Sequence, residues 1–346
     1  MDAIRNTSRT RQWLLALALA WCGLHAARAA EPCSVAAPPP TTWGERVAAA
    51  ACAEHRLWYS PFLDERGRLA TMRIAEAENV RLQDGTTPAW RRVVDYWKST
   101  GLLTAMASHP GAYECTNAID VWPGSAACRA FVIDTPWSAV FVSFAYVRAG
   151  VPGFSPSASH FDFSRQALRD SAYSPFRMAD PDVERPAVGD LLCFTRGLNT
   201  PMGAAGFRKY LEHNGDALAM HCDIVVAANA GGDGRLYTVG GNVLQGVTMR
   251  TLQLNRNGEI WGLPRKTSTP IPCRPDASEA CNFDRQDWVV LLKLEPKAAA
   301  PPPQPATNCC TLCPLPMPAG VQRCPAPAAP VLPAAPSTSA TPATPP

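Results

Sequence analysis

The chain has 346 residues and a formal charge of +3, from 32 Lys or Arg against 29 Asp or Glu. The two signs alternate throughout, which leaves no basic footprint for DNA or RNA, so no nucleic-acid partner is expected. Thirteen cysteines and 35 prolines are the unusual counts.

The N-terminus carries Arg5, Arg9 and Arg11, an apolar core from Trp13 to Leu24, and Ala27-Arg28-Ala29. This order predicts a secretory signal peptide over 1–29, cut after Ala29. Its apolar run is shorter than the roughly 20 residues a spanning helix needs, and no later segment reaches that length. The expectation is a periplasmic or secreted protein with no integral membrane segment after signal cleavage. Leu19-Ala20-Trp21-Cys22 offers a lipoprotein anchor as the alternative, against which the bulky Trp21 argues. Loss of Cys22 leaves an even number of cysteines in an exported chain, which favours disulfides. Cys33 with Cys52, Cys115 with Cys128, Cys273 with Cys281, and Cys193 with Cys222 are the suggested pairs.

Residues 30–42 read as a Pro-rich linker. Helical patterns follow over Trp43–Trp58, Leu69–Leu82 and Thr87–Leu102. A loop holding Cys115 and Cys128 is expected from Pro110 to Thr135. Asp134 or Thr135 as N-cap, Pro136 at the first helical position, an apolar run to Ala149 and Gly150 as stop then predict a helix. Strand patterns take over at Leu191–Phe194, His221–Ala227, Arg235–Val239, Gly246–Leu254 and Trp288–Leu294. Gly197–Gly215 reads as a long loop over the sheet. Helices first and a strand meander afterwards predict an α+β fold over 43–295, an antiparallel sheet packed on the helical region. From 296 to 346 Pro, Ala, Thr and Ser dominate, a composition expected to form a disordered spacer. Cys309, Cys310, Cys313 and Cys324 interrupt it, as a small disulfide knot or a link to another chain.

Chemistry concentrates at three places. Ser138 falls in the first turn of the 136–149 helix, where unpaired N–H groups and the dipole favour an anion or an oxyanion. His221 opens a strand, and Asn242 closes the next one after Gly240-Gly241. A nucleophile on a helix N-terminus, a histidine on the adjoining sheet and a polar orienter on the next strand follow the Cys-His-Asn logic of papain-like enzymes. In that logic His221 takes the proton of Ser138 and Asn242 holds the imidazole. Trp137, His160 and Asp223 are the expected substrate-binding residues: His160 as cleft lining or a carboxylate contact, Asp223 because it shares the His221 face. Cys222 points the other way. HExxH, paired CxxC, Walker and dinucleotide patterns are missing from the sequence, so no cofactor or metal is expected.

Pro136-Trp137-Ser138-Ala139-Val140-Phe141-Val142-Ser143 resembles the helix start of CHAP domains and NlpC-type cell-wall peptidases, where cysteine stands at the Ser138 position. Gly189-Asp190-Leu191-Leu192-Cys193-Phe194 resembles their Gly-Asp strand opening, His221–Val226 their histidine strand, and Gly240-Gly241-Asn242 their Glu-Gly-Asn segment. The region from Trp43 to Leu294 more closely resembles the bacterial domain-of-unknown-function family numbered 2272, through its Pro-Trp-Ser-Ala and His-Cys-Asp motifs. This likeness implies a papain-like frame acting on an amide in peptidoglycan or a peptide. Serine in place of cysteine and glycine in place of glutamate depart from the CHAP pattern. A hydroxyl ionises far less readily than a thiol of pKa about 8.5, so Ser138 needs a general base. The expectation is therefore an exported envelope hydrolase. The alternatives are an inactive peptidoglycan-binding module, or an acyltransferase or esterase on the same frame.

Overall fold

The computed structural model describes residues 32–33, 38–213, 216–269, 271–296, 309–310 and 322–323. The expected signal peptide and most of the Pro-rich tail, with Cys313 and Cys324, lie outside the described residues.

The first helix, α1 (Trp43–Leu57), starts where Thr42 supplies a reciprocal capping box: its hydroxyl accepts the Glu45 N–H and the Glu45 carboxylate accepts the Thr42 N–H. After two short strands, β1 (Phe62–Leu63) and β2 (Leu69–Thr71), come α2 (Ala89–Ser99) and the single turn α3 (Leu102–Ala105). Helices α4 (Ala112–Asn117), α5 (Gly124–Asp134), α6 (Ser138–Ala149) and α7 (His160–Arg169) complete this half. Then follow β3 (Phe176–Ala179), β4 (Leu191–Thr195), α8 (Gly203–His213), β5 (Met220–Ala228), β6 (Arg235–Val243), β7 (Gly246–Gln253) and β8 (Asp287–Leu294).

Eight strands form one open sheet in the order β2-β1-β7-β6-β5-β4-β8-β3. Neighbours run antiparallel except β1 and β7, which run parallel, so the sheet is mixed where a purely antiparallel one was expected. The fold is a mixed arrangement of helices and one sheet, with α6 at its centre, packed against β5, β6 and α1. Ten of the twelve α6 residues are buried, which explains why its sequence is apolar on every side. The opposite sheet face carries a second cluster of Leu192, Phe194, Val225, Trp288 and Leu291. With both faces covered, β4 reads as a continuous apolar run.

Among the described residues four disulfides, Cys33–Cys52, Cys115–Cys128, Cys193–Cys222 and Cys273–Cys281, join the expected pairs. Among the described residues no single helix is long and apolar enough to cross a membrane. Residues 309–310 and 322–323 form a separate parallel pair, β9 (Cys309–Cys310) with β10 (Gln322–Arg323).

Several local expectations are corrected. Leu69–Leu82 is not a helix: Leu69–Thr71 pairs with β1, and the backbone beyond bonds to distant segments, Glu76 N–H to Gln245 O and Gln83 N–H to Leu57 O. Tertiary partners outweigh local propensity there. The 110–135 loop contains α4 and α5, tied by Cys115–Cys128. The 197–215 loop contains α8, which buries Phe207 and Leu211 one turn apart. The Asp287 carboxylate accepts the N–H groups of Met202 and Gly203 and so satisfies the start of α8 from β8. That cap is 84 residues away in sequence. Finally, Asp134 ends α5 rather than capping α6. The chain bends by 96° between the two helices, and α6 begins at Ser138 with Trp137 as its N-cap residue.

Candidate active site

Ser138 is the first residue of α6, and no side chain caps that helix. Its first backbone N–H groups therefore have no intrahelical or side-chain acceptor. Ser138 is 6% exposed. A 2.9 Å hydrogen bond joins its Oγ to Nε2 of His160, the first residue of α7. His160 is 3% exposed, a buried imidazole. Burial first, and then the neighbouring His221 and Arg196, hold its pKa well below the usual 6.5. The ring is thus neutral near pH 7, and a neutral Nδ1-protonated tautomer presents an Nε2 lone pair to the Ser138 O–H.

The second imidazole, His221, lies with its ring centroid 5.2 Å from that of His160 and 5.2 Å from that of Phe194. Its Nε2 is 2.8 Å from Asp223 Oδ1, two residues along the same face of β5. Burial lowers the His221 pKa, against the opposing attraction of Asp223. Asp223 is buried, yet Arg250 and His221 keep its carboxyl well below the ordinary range. Arg250 Nε donates to Asp223 Oδ2 at 2.9 Å, and Nη1 pairs with Asp284. The order is therefore serine, imidazole, imidazole, carboxylate, guanidinium. Nδ1 of both imidazoles is buried without a hydrogen-bond partner among the described residues.

Of the six residues singled out in sequence, the structure brings Ser138 to His160 and His221 to Asp223. Among the described residues, Ser138 makes no hydrogen bond to His221, and Asn242 makes none to His221. Asp223 takes the partner position that Asn242 was expected to fill. Asn242 is half-buried in the left-handed region, φ 55°, within the irregular end of β6. Trp137 belongs to the core: it is wholly buried, stacks on Trp58 and donates through Nε1 to Glu76. It anchors the start of α6 instead of presenting a face to substrate. Cys222 points away from His221 and bonds Cys193, its direct partner in register, as alternation requires.

Gly240 acquires a physical reason. A Cβ there would lie 1.9 Å from Asp223 Oδ1 and 3.0 Å from His221 Nε2. Thus glycine keeps this position free of a side chain, and the carboxylate of Asp223 occupies the space beside the imidazole. Arg250 and Asp284 were missed in sequence. An arginine in the middle of the strand pattern Gly246–Leu254 was the available signal, since a charge carried into a sheet requires a partner.

A family model described as "Uncharacterized protein conserved in bacteria (DUF2272)" matches residues 84–294, a span that holds every residue of this site. No curated protein and no solved structure matches the chain. The match covers more than half of the chain, which belongs to the DUF2272 family.

Proposed function

We propose that this DUF2272 member is an exported hydrolase of the bacterial cell envelope, cleaving an amide in peptidoglycan peptides with Ser138 as nucleophile. The observation that carries the reading is the 2.9 Å link from Ser138 Oγ to a buried, neutral imidazole at an uncapped helix N-terminus. Nucleophile and base stand within hydrogen-bond reach, the geometry that acyl transfer needs. His160 rather than His221 takes the base role in this reading. Its Nε2 accepts the Ser138 proton as Oγ adds to the substrate carbonyl, and the α6 N–H groups face the developing oxyanion. His160 then returns the proton to the leaving amine. Water, activated by the same imidazole, hydrolyses the resulting acyl-serine. His221 lies against the His160 ring with Asp223 behind it; the Asp223 carboxylate favours the imidazolium formed in the transition state, against the opposing effect of His221 and Arg196. The signal-like N-terminus and four disulfides support an extracytoplasmic setting.

The low exposure of Ser138 favours a second reading, an inactive module that holds wall peptides without cleaving them. Purified mature protein and its Ser138→Ala variant, incubated with isolated peptidoglycan, separate the two. New amines detected by mass spectrometry with wild type alone support the hydrolase. Saturable wall binding by both proteins without new amines supports the binding module. Release that is unchanged in Ser138→Ala removes Ser138 from either account.

A further inference from the structure

A cavity of about 320 Å³ opens on the Phe194 side of His221, lined among others by Phe194, Arg196, Val243, Leu244, Arg250 and Lys266. Its lining includes three cationic side chains and no carboxylate. Arg250 is nine-tenths or more buried, with Nε and Nη1 committed to Asp223, Asp284 and the Phe283 carbonyl. Nη2 has no hydrogen-bond partner among the described residues. Lys266 Nζ donates only to the Leu198 carbonyl, a neutral group. Neither Arg196 nor Lys266 has a carboxylate within ion-pair distance among the described residues. The buried carboxylates are held by Arg250; Asp223 offsets the charge of Arg196 only in part, and no carboxylate lines the cavity to pair with Arg196 or Lys266. Two cations beside apolar walls, with a third guanidinium half committed, form a receptor for a planar anion attached to a small apolar body.

We propose that this cavity binds the free carboxylate of a peptide C-terminus, so that the substrate is a peptide end rather than an internal stretch. The volume is at the small end of ligand pockets, enough for one terminal residue and not for an extended strand. Phe194 and the hairpin residues Val243 and Leu244 form apolar walls for a small side chain, while the cations take the carboxylate. The cavity touches the candidate site at two points. Phe194 contacts the His221 ring, and Arg250 holds the Asp223 partner of that ring. In this proposal an anion held there, one ring away from His221 across Phe194, sets which bond of the chain reaches Ser138. The choice of occupant rests on the hydrolase reading; the existence of an anion site does not.

The test uses the full mature chain carrying Ser138→Ala, so that binding is read without turnover. Titration calorimetry compares acetyl-Ala-Ala with its C-terminal amide and with inorganic phosphate. The expected result is saturable binding of the free acid, at least tenfold weaker binding of the amide, and weaker binding of phosphate than of the acid. Arg196→Ala with Lys266→Ala lowers affinity for the acid at least tenfold, and Lys266→Gln serves if the double variant does not fold. Equal affinity for acid and amide, absence of binding, or preference for phosphate overturns the proposal. Turnover missing in wild type with acid-selective binding intact removes the hydrolase reading and leaves this site standing.

Discussion

Two buried histidines are set apart by the group that each Nε2 meets. His55, near the end of α1, and His160, at the start of α7, are both almost inaccessible, and in both burial is the main force lowering the pKa. Each has a buried Nδ1 with no partner among the described residues. The Nε2 of His55 meets the Pro61 carbonyl at 2.9 Å, whereas that of His160 meets the Ser138 hydroxyl at the same distance. A carbonyl only accepts, so Nε2 of His55 carries the proton and has no lone pair to offer there. A hydroxyl can donate, so His160 can stand as a base. Burial and a shifted pKa therefore mark a histidine that titrates abnormally, and the chemistry of the partner marks one that can catalyse.

The largest effect expected from this contrast is on turnover. His160→Gln should lower kcat/KM by at least about 10³-fold, as removal of one member of a catalytic unit does. His55→Gln should leave it unchanged, measured on the peptide released from peptidoglycan. Comparable losses in the two variants would erase the distinction between them.

Next comes the pair behind His160. Asp223→Asn removes the charge that faces both His221 and Arg250 and leaves the guanidinium with Asp284 as its remaining carboxylate. Breaking one partner of a buried ion pair costs about 3 kcal/mol. Tm should fall by several degrees, and the acid limb of kcat/KM should move to lower pH, because less negative charge remains to favour imidazolium. A lower Tm with an unmoved acid limb would make Asp223 a packing element alone.

His55 supplies a stability test with a definite sign. Burial pushes its pKa down from the usual 6.5 to about 4, so the folded state prefers the neutral ring. Its contribution is fully present above the unfolded pKa and is lost as pH falls from 6.5 towards 4. Between neutral pH and pH 5 the loss is about 2 kcal/mol for this group alone, at roughly 1.4 kcal/mol per pKa unit. Denaturant unfolding of wild type and His55→Gln at the two pH values should show the wild type losing more by that amount. Parallel losses would mean that the ring is not held neutral.

The legible parts of the fold were those with local causes. Thr42 and Glu45 announce α1, Gly150 stops α6, and the runs at 191, 221, 235, 246 and 288 are strands because alternating or continuous apolar residues cover a sheet. What stayed hidden has partners far away in sequence. The cap of α8 is Asp287, the partner of β2 is β1 rather than its own helical neighbours, and the Arg250 guanidinium reaches Asp223 across 27 residues. The candidate site divides along the same line. Ser138 was readable from its helix start, and the His221–Asp223 face from strand alternation. The contact of His160 with Ser138 depends on how α7 docks, which no spacing encodes.

The smallest expected effect concerns Asn242, where the sequence pattern and the geometry part most clearly. As an orienter it would be bonded to the imidazole, and its loss would cost a factor of about 10² or more. In the structure it is instead a left-handed residue at the end of β6, φ 55°, in a hairpin whose Leu244 and Gln245 also have positive φ. Asparagine tolerates that conformation, and alanine pays about 1 kcal/mol for it. Asn242→Ala should therefore lower stability by about that amount and change kcat/KM by less than about threefold, while Asn242→Gly should restore stability because glycine adopts positive φ freely. A hundredfold loss of turnover in both variants would put the amide side chain at the imidazole after all, and would move the base role from His160 back to His221.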